Sequence, residues 1–461
     1  MKQRLQMTPD QKKFFTSLIA LVLPITIQNL ISNAVNSADV LMLGYVGQAE
    51  LSAVSLANQF QFLLGGFFFG ISSGVTMLAS QYWGKKDTDA IQTVMGIAFK
   101  IAFVVTAVIS LGAVFVPELL MQIYTDDVQL IAIGSSYLRI IGVSYVLLSI
   151  SQVYLCALRS MEWAKISTMI SACALVLNVV LNAVFIFGLL GMPKLGVIGV
   201  AVATLVARVV EVILCLLDAA RGRTIQFKLN RLFAANHLLF QDFLKYSTPA
   251  LVNDCLWTIA FSMYSVIMGH MNADMVAASS VATTVRDLCT IVCFAMASGV
   301  SVLLGIEIGE GRMEAARRDA RRSCYVTLAL GVLTGLVLIL IRPMIFLCFT
   351  LTDRAADYLN VMMYISAYYM IGQAMNTLVI TGIFRAGGDS RFGMICDAVT
   401  MWLISLPLGF LSAFVFKWPP MVVYFILCLD EFWKIPVVYK HYKSYKWLKD
   451  ITRTGYSDEA V

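Results

Sequence analysis

Twelve long apolar runs, each ending in a polar break, constrain this 461-residue chain more than any motif in it. They lie near residues 14–44, 51–83, 93–116, 131–157, 166–190, 197–217, 240–269, 275–308, 323–348, 357–384, 393–416 and 420–439. About 20 apolar residues in a helix cross the ~30 Å of a bilayer's hydrocarbon. In that medium the backbone must satisfy its own hydrogen bonds, which a helix does within one segment. Charged residues make up 13% of the chain, against about 25% in soluble proteins. The expected fold class is therefore all-α: a polytopic membrane protein of twelve transmembrane helices. The polar, basic stretch Met1–Lys13 leads straight into the first run and has no cleavable small-residue site.

Loop charge predicts the orientation, because Lys and Arg resist translocation. With the N-terminus inside and spans alternating, 25 of the 34 Lys and Arg fall on the cytoplasmic side. They include Lys2, Arg4, Lys12, Lys13, Lys85, Lys86, Arg159 and Lys165. The later loops add Arg221, Arg223, Lys228, Arg231, five arginines between Arg312 and Arg322, Arg385 and the basic tail from Lys440 to Arg453. Only Lys194, Arg342, Arg354 and Lys417 fall outside, and the other five, Lys100, Arg139, Arg208, Arg286 and Lys434, fall within spans and are set aside. The split requires an even number of spans and places both termini in the cytoplasm, in a cell (inner or plasma) membrane. The net charge of +6 is then topological, and no nucleic-acid partner is implied.

A shift of 225 residues brings the sequence onto itself. Pro24 meets Pro249, Ser37 meets Ser262, and Gly44 meets Gly269. Ala53, Ser55 and Ala57 meet Ala278, Ser280 and Ala282; Ser73-Gly74-Val75 meets Ser298-Gly299-Val300. Each half thus has six spans starting on the same side, a parallel repeat about an axis along the membrane normal. The expected division is an N-terminal lobe with a cytoplasmic linker over 1–225 and a C-terminal lobe with a cytoplasmic tail over 226–461. Duplicated chains of this kind place a small-molecule path between halves that rock, and a monomer surrounded by lipid suffices for that.

Ionisable side chains inside a span are costly, by roughly 2.5–3.5 kcal/mol on insertion scales, and persist for pairing or function. Asp39 is the clearest case in the first half, fifteen residues after Pro24 on the same run. Proline removes a helical hydrogen bond and favours a kink, so Pro24 is a candidate hinge. Asn178 and Asn182 are spaced i, i+4 and share a helix face, and Thr204 follows in the sixth span. Carboxylate, amide and hydroxyl oxygens suit a small hard cation or a proton relay; interhelical hydrogen bonding is the plainer alternative. In the second half Tyr264 stands where the repeat would put the acid. Asn253, Asp254, Arg286, Gln373 and Asn376 are instead candidates for a substrate or proton site. Asp254 with Arg286 reads equally as a structural ion pair between neighbouring helices, and Glu431 with Lys434 as a self-neutralising i, i+3 pair. The ten cysteines form no CxxC and read as small apolar packing residues. The three histidines have no metal-ligand spacing, and Gly387-Gly388 does not make the phosphate-binding GxxxxGK[ST] loop. No cofactor is expected.

In order and spacing these pieces resemble the multidrug and toxic compound extrusion (MATE) family, of the multidrug/oligosaccharidyl-lipid/polysaccharide exporter superfamily. The resemblance rests on Pro24 to Asp39 with Gly44, Leu51-Ser52-Ala53-Val54-Ser55, Asn178 and Asn182, Gly199 to Thr204, Phe384-Arg385-Ala386-Gly387-Gly388-Asp389, Asp430-Glu431 and Lys446-Trp447. It implies a secondary antiporter, not an enzyme, that exports organic, cationic and hydrophobic compounds against inward Na⁺ or H⁺. It also implies a cation site at Asp39, Asn178, Asn182 and Thr204. Asn182 departs from members with a second aspartate there, and Trp257, Met370 and Ala374 stand where other members place sodium ligands. The alternative is a flippase for a lipid-linked precursor, which calls for a large cationic cavity. A membrane-embedded enzyme is disfavoured, since no His/Asp or Ser/Lys constellation lies at membrane depth.

Overall fold

The computed structural model describes residues 8–222, 236–348 and 351–453. Lys2, Arg4, Arg223, Lys228 and Arg231, which carry part of the charge asymmetry, lie outside the described residues, as does the side chain of Cys348. The described residues are helical and contain no strand. In chain order the helices are α1 (Pro9–Val46), α2 (Gln48–Gly84), α3 (Thr88–Phe115), α4 (Val128–Ser160), α5 (Ala164–Phe187) and α6 (Gly196–Ala220). They continue as α7 (His237–Gly269), α8 (Ala273–Gly309), α9 (Met313–Cys348), α10 (Asp353–Asn376), α11 (Ser390–Ala398), α12 (Pro420–Leu427) and α13 (Asp430–Lys443). A six-residue helix, Pro117–Gln122, precedes α4.

Local chemistry sets many of the starts. Asp87 and Asp127 accept the first free N–H groups of α3 and α4, from Ala90 at 2.9 Å and Gln129 at 2.8 Å. Asn272 does the same for α8 at 2.7 Å. Such caps satisfy donors that have no partner within the helix. Gly188 closes α5 with φ of +70°, a left-handed position that glycine adopts without strain.

Ten helices among the described residues are long and apolar enough to cross a membrane. The expected tenth and twelfth spans fall short of that standard for different reasons. α10 opens on Asp353, Arg354 and Asp357 and continues into a π-helical segment, Thr377–Phe384. The twelfth run is divided at Cys428 and Leu429 into α12 and α13, and α13 opens on Asp430 and Glu431. α11 also runs on through π-helical turns, Val399–Ser405 and Leu411–Val415, on either side of Pro407. Widened turns of this kind relieve the backbone where a proline cannot donate. Large apolar side chains such as Leu340 (73% exposed) and Leu403 (71%) point outward. Asp430, Glu431 and Lys434 are buried. That inversion is what a hydrocarbon solvent selects.

The chain forms two compact units. The N-terminal unit comprises Leu23–Leu244 with Arg453–Val461; the C-terminal unit comprises Lys245–Thr452 with Met1–Val22. Each unit is one long stretch of the chain with a short exchanged segment from its other end. Residues 8–22 belong to the C-terminal unit, so α1 is divided beside Pro24, and the boundary after α6 falls at Leu244. Gly299 of α8 makes the first exchange possible. A Cβ there would sit 2.7 Å from Val22 Cγ2, so only glycine admits α1 so closely.

Candidate functional site

In the N-terminal unit, α1, α5 and α6 bring the four predicted polar residues into one hydrogen-bonded chain. Asn182 Nδ2 donates to Asp39 Oδ1 at 2.7 Å and to Asn178 Oδ1 at 3.3 Å. Asn178 Nδ2 donates to Thr204 Oγ1 at 3.1 Å. The i, i+4 spacing aligns the two amides along α5, as the sequence required. Asn182 is fully buried, and its Oδ1 has no hydrogen-bond partner. A buried acceptor left unsatisfied is costly, so this oxygen suits a positively charged or proton-bearing guest.

Asp39, Asn178 and Thr204 line a cavity of about 360 Å³ within this unit. That is at the lower end of the range for small-molecule sites. Phe62 and Tyr137 give it aromatic surface, and Asn36, Asn58 and Gln61 give it amides. Tyr137 is fixed by donating its hydroxyl to Asn58 Oδ1 at 3.1 Å. Arg208 also reaches the cavity wall. Its Nη1 is held at 2.7 Å by Glu211 Oε2. Sequence reading left Arg208 aside as one charge within a span and did not single out Glu211.

The C-terminal candidates are arranged differently from expectation. Asp254 does not pair with Arg286; its partner is Arg385, at 2.7 Å. Arg385 follows the π-helical end of the tenth span, and sequence reading placed it in a cytoplasmic loop. Arg286 is buried against the rings of Phe261 and Tyr369, 5.5 and 5.1 Å from their centroids, a cation–π seat. Asn253 donates to Asp397 Oδ2 at 3.1 Å. Lys434 reaches both Asp397 Oδ1 at 2.7 Å and Glu431 Oε1 at 3.2 Å. The Glu431–Lys434 pair therefore does not stand alone but joins α11 to α13. Asn376 donates to Glu431 Oε2 at 2.7 Å. Gln373, one turn earlier on α10, is buried with its Oε1 unpartnered. Asp397, four residues into the eleventh run, was not singled out although it carries the same signal as Asp39, an acid inside an apolar run.

This duplicated helical frame, with a cavity around a membrane-depth carboxylate, matches a family model described as MatE over residues 24–184 and 249–411. The chain belongs to the MatE family. The two matched segments start 225 residues apart, the same shift that superimposes the halves of the sequence. MatE proteins are membrane transporters rather than enzymes. The MatE chain is 24% identical over 445 residues to an uncharacterized transporter, YisQ, of Bacillus subtilis (strain 168), covering 96% of each. It is 23% identical to the multidrug resistance protein MdtK of Yersinia enterocolitica, covering 86% of this chain and 87% of that one. Its fold matches the crystal structure of MATE in the straight conformation with a TM-score of 0.84 at 17% identity, covering 96% of this chain and 97% of the other. A MOP superfamily transporter from Pyrococcus furiosus, described as having a binding pocket of reversed polarity, also matches at 0.84, with 16% identity and the same coverage.

Proposed function

We propose that this MatE chain is a secondary antiporter that exports organic, cationic and hydrophobic compounds across a cell membrane in exchange for H⁺ or Na⁺. The hydrogen-bonded chain from Asp39 through buried Asn182 and Asn178 to Thr204, whose Asp39, Asn178 and Thr204 line the N-terminal cavity, is the observation that carries this reading. A carboxylate, an amide oxygen without a partner and a hydroxyl form a hard-oxygen donor set for a proton or a small cation. Charging or neutralising Asp39 changes what the cavity attracts. An ion and a cationic solute then compete for one carboxylate, which is what exchange requires. Only a ligand with different affinities for two conformations shifts their balance; α1, divided between the units beside Pro24, is the element through which Asp39 acts. Asn253, Asp254, Arg286, Gln373 and Asn376 contribute a C-terminal polar surface for the solute or a proton. Both termini lie in the cytoplasm, and the monomer is the working unit.

The lipid-linked precursor alternative asks for a large cationic cavity. This cavity holds about 360 Å³, contains Asp39, and has its guanidinium already paired with Glu211. The test is ethidium transport by the reconstituted chain, with pH and Na⁺ gradients imposed separately. Wild type should be driven by one of them, and Asp39→Asn should insert normally yet lose gradient-driven transport. Unchanged transport by Asp39→Asn would sink the assignment.

A further inference from the structure

We propose that the coupling ion is a proton, and that it passes between Asp39 and the cytoplasm along a polar seam between α4 and α6, with Glu211 as the relaying carboxylate. This rests on the antiport reading above and deepens it. The seam follows from the register of α6. Thr204, Arg208, Glu211, Cys215 and Asp218 are spaced 4, 3, 4 and 3 residues apart. At about 100° per residue they fall within roughly 80° of arc, one stripe along an otherwise apolar helix. α4 answers it with hydroxyls. Ser151 Oγ donates to Glu211 Oε2 at 3.1 Å, and Tyr154 donates its hydroxyl to Asp218 Oδ2 at 2.8 Å. Glu211, Cys215 and Ser151 are each 2% exposed or less, and Asp218 is only partly buried.

The stripe begins at the Asp39 cavity, where Thr204 accepts from Asn178 and Arg208 lies on the wall. It ends two residues before the close of α6. Fourteen residues of helix separate Thr204 from Asp218, about 21 Å of rise, most of a ~30 Å hydrocarbon layer. In the proposed topology α6 runs inward, so Asp39 sits in the outer half and the stripe leads from it to the cytoplasmic end. Buried ionisable groups at membrane depth mark proton and ion pathways. A structural ion pair would account for Arg208 and Glu211 alone. It would not account for Ser151 on the same carboxylate, nor for a second acid–hydroxyl pair two turns on.

The charges around Glu211 favour a proton over a metal ion. On α6 it faces Arg208, Cys215 and Asp218; from α4, Ser151 and Tyr154. α5 presents no charged side chain between Ile166 and Leu177, and Asp39 of α1 lies on the same cavity as Arg208. The Glu211 charge is already compensated by Arg208 at 2.7 Å, so a metal cation could reach this carboxylate only beside a fixed guanidinium. A proton taken up by Glu211 travels as part of a neutral carboxyl. The balance is simple: the Asp39 carboxyl gives up one proton, Glu211 accepts it and passes it to Asp218, and Asp218 releases it to bulk water. Each carboxylate regains its charge.

The test uses the full chain in vesicles and two assays with ethidium: transport driven by a pH gradient, and exchange of labelled for unlabelled ethidium at equal pH, which needs no proton release. Glu211→Gln leaves Arg208 without its partner on the cavity wall, so Asp218→Asn, outside the cavity, interrupts the same seam without touching that pair. Asp218→Asn should keep ethidium exchange within about twofold of wild type, and both variants should lose gradient-driven transport by roughly tenfold or more. Glu211→Asp should restore most of the driven rate. Wild-type driven transport in Glu211→Gln or Asp218→Asn, with Asp39→Asn inactive, would overturn the seam and leave the antiport reading standing. So would an equal loss in both assays for Asp218→Asn, which marks a structural pair, or wild-type transport driven by Na⁺ alone. If Asp39→Asn transports normally, or wild type moves no ethidium under either gradient, the antiport reading falls and the seam with it.

Discussion

Lys434 shows what a single residue does in this interior. Its ammonium is 2% exposed, 2.7 Å from Asp397 and 3.2 Å from Glu431, with Asp430 fully buried on the same turn. One cation compensates two carboxylates that hold α11 and α13 together. Removing it leaves both uncompensated in a low-dielectric medium, which typically costs about 3–5 kcal/mol, whereas replacing all partners by neutral groups is often close to neutral. Lys434→Met should therefore lower the apparent unfolding temperature of the detergent-purified chain markedly. Adding Asp397→Asn and Glu431→Gln should recover most of the loss. Equal unfolding temperatures for wild type and Lys434→Met would show that the network contributes nothing to stability. Asp254 and Arg385 form a second such bond, between α7 and the end of the tenth span. Both units therefore contain buried charge, but the N-terminal cavity has its amide–carboxylate chain at an open wall, while the C-terminal network is internally paired.

At the scale of elements, the loop after the tenth span seats the C-terminal tail. Gly388 has φ of +75°, and a Cβ on Gly387 would lie 1.5 Å from the Trp447 carbonyl oxygen. Trp447 is itself fully buried and donates its Nε1 to the Tyr442 carbonyl at 3.1 Å. The methyl of Gly387→Ala cannot be absorbed by a side-chain rotation, because the atom it meets is backbone. Overpacking of that kind costs about 1–3 kcal/mol, enough to loosen the tail around Trp447. Trypsin should then cut Gly387→Ala faster than wild type at Lys446 and Lys449, with the spans intact; equal cleavage rates would refute the seat. The helical frame was legible in the sequence because hydrocarbon imposes length and apolarity on every run. The Asp39 site was legible because the i, i+4 amides and the aspartate each stood out against an apolar background. The partner of Asp254 was not, since Arg385 lies 131 residues away and seemed to belong to a loop. Gly387 and Gly388 stood in the sequence as part of a family motif and as no phosphate loop, but the backbone they pack against lies sixty residues on.

For the whole molecule, the charge asymmetry and the helix inventory bear on the same question. Ten described helices qualify as spans by apolarity, and the tenth and twelfth expected spans do not. Their polarity has a local explanation. Asn376 and Gln373 of α10 and Glu431 and Lys434 of α13 turn inward, and the hydrogen bonds of Asn376, Glu431 and Lys434 are made within the C-terminal unit. A span whose polar groups are satisfied by neighbouring helices can cross without facing lipid with them. In the proposed topology both count as crossings, the total is even, and the basic tail from Lys440 to Arg453 lies on the side of the N-terminus, in keeping with the bias of Lys and Arg. A reporter fused after Val461 should be active only in its cytoplasmic form, and a single cysteine replacing Lys194 in a cysteine-free background should react with an impermeant maleimide from outside. If α12 and α13 together failed to cross, the tail reporter would report an external location while the Lys194 result stayed the same. That combination would break the pairing of both termini in the cytoplasm and force a reassignment of the last span, while leaving the first-half topology, and with it the direction of the α6 stripe, untouched.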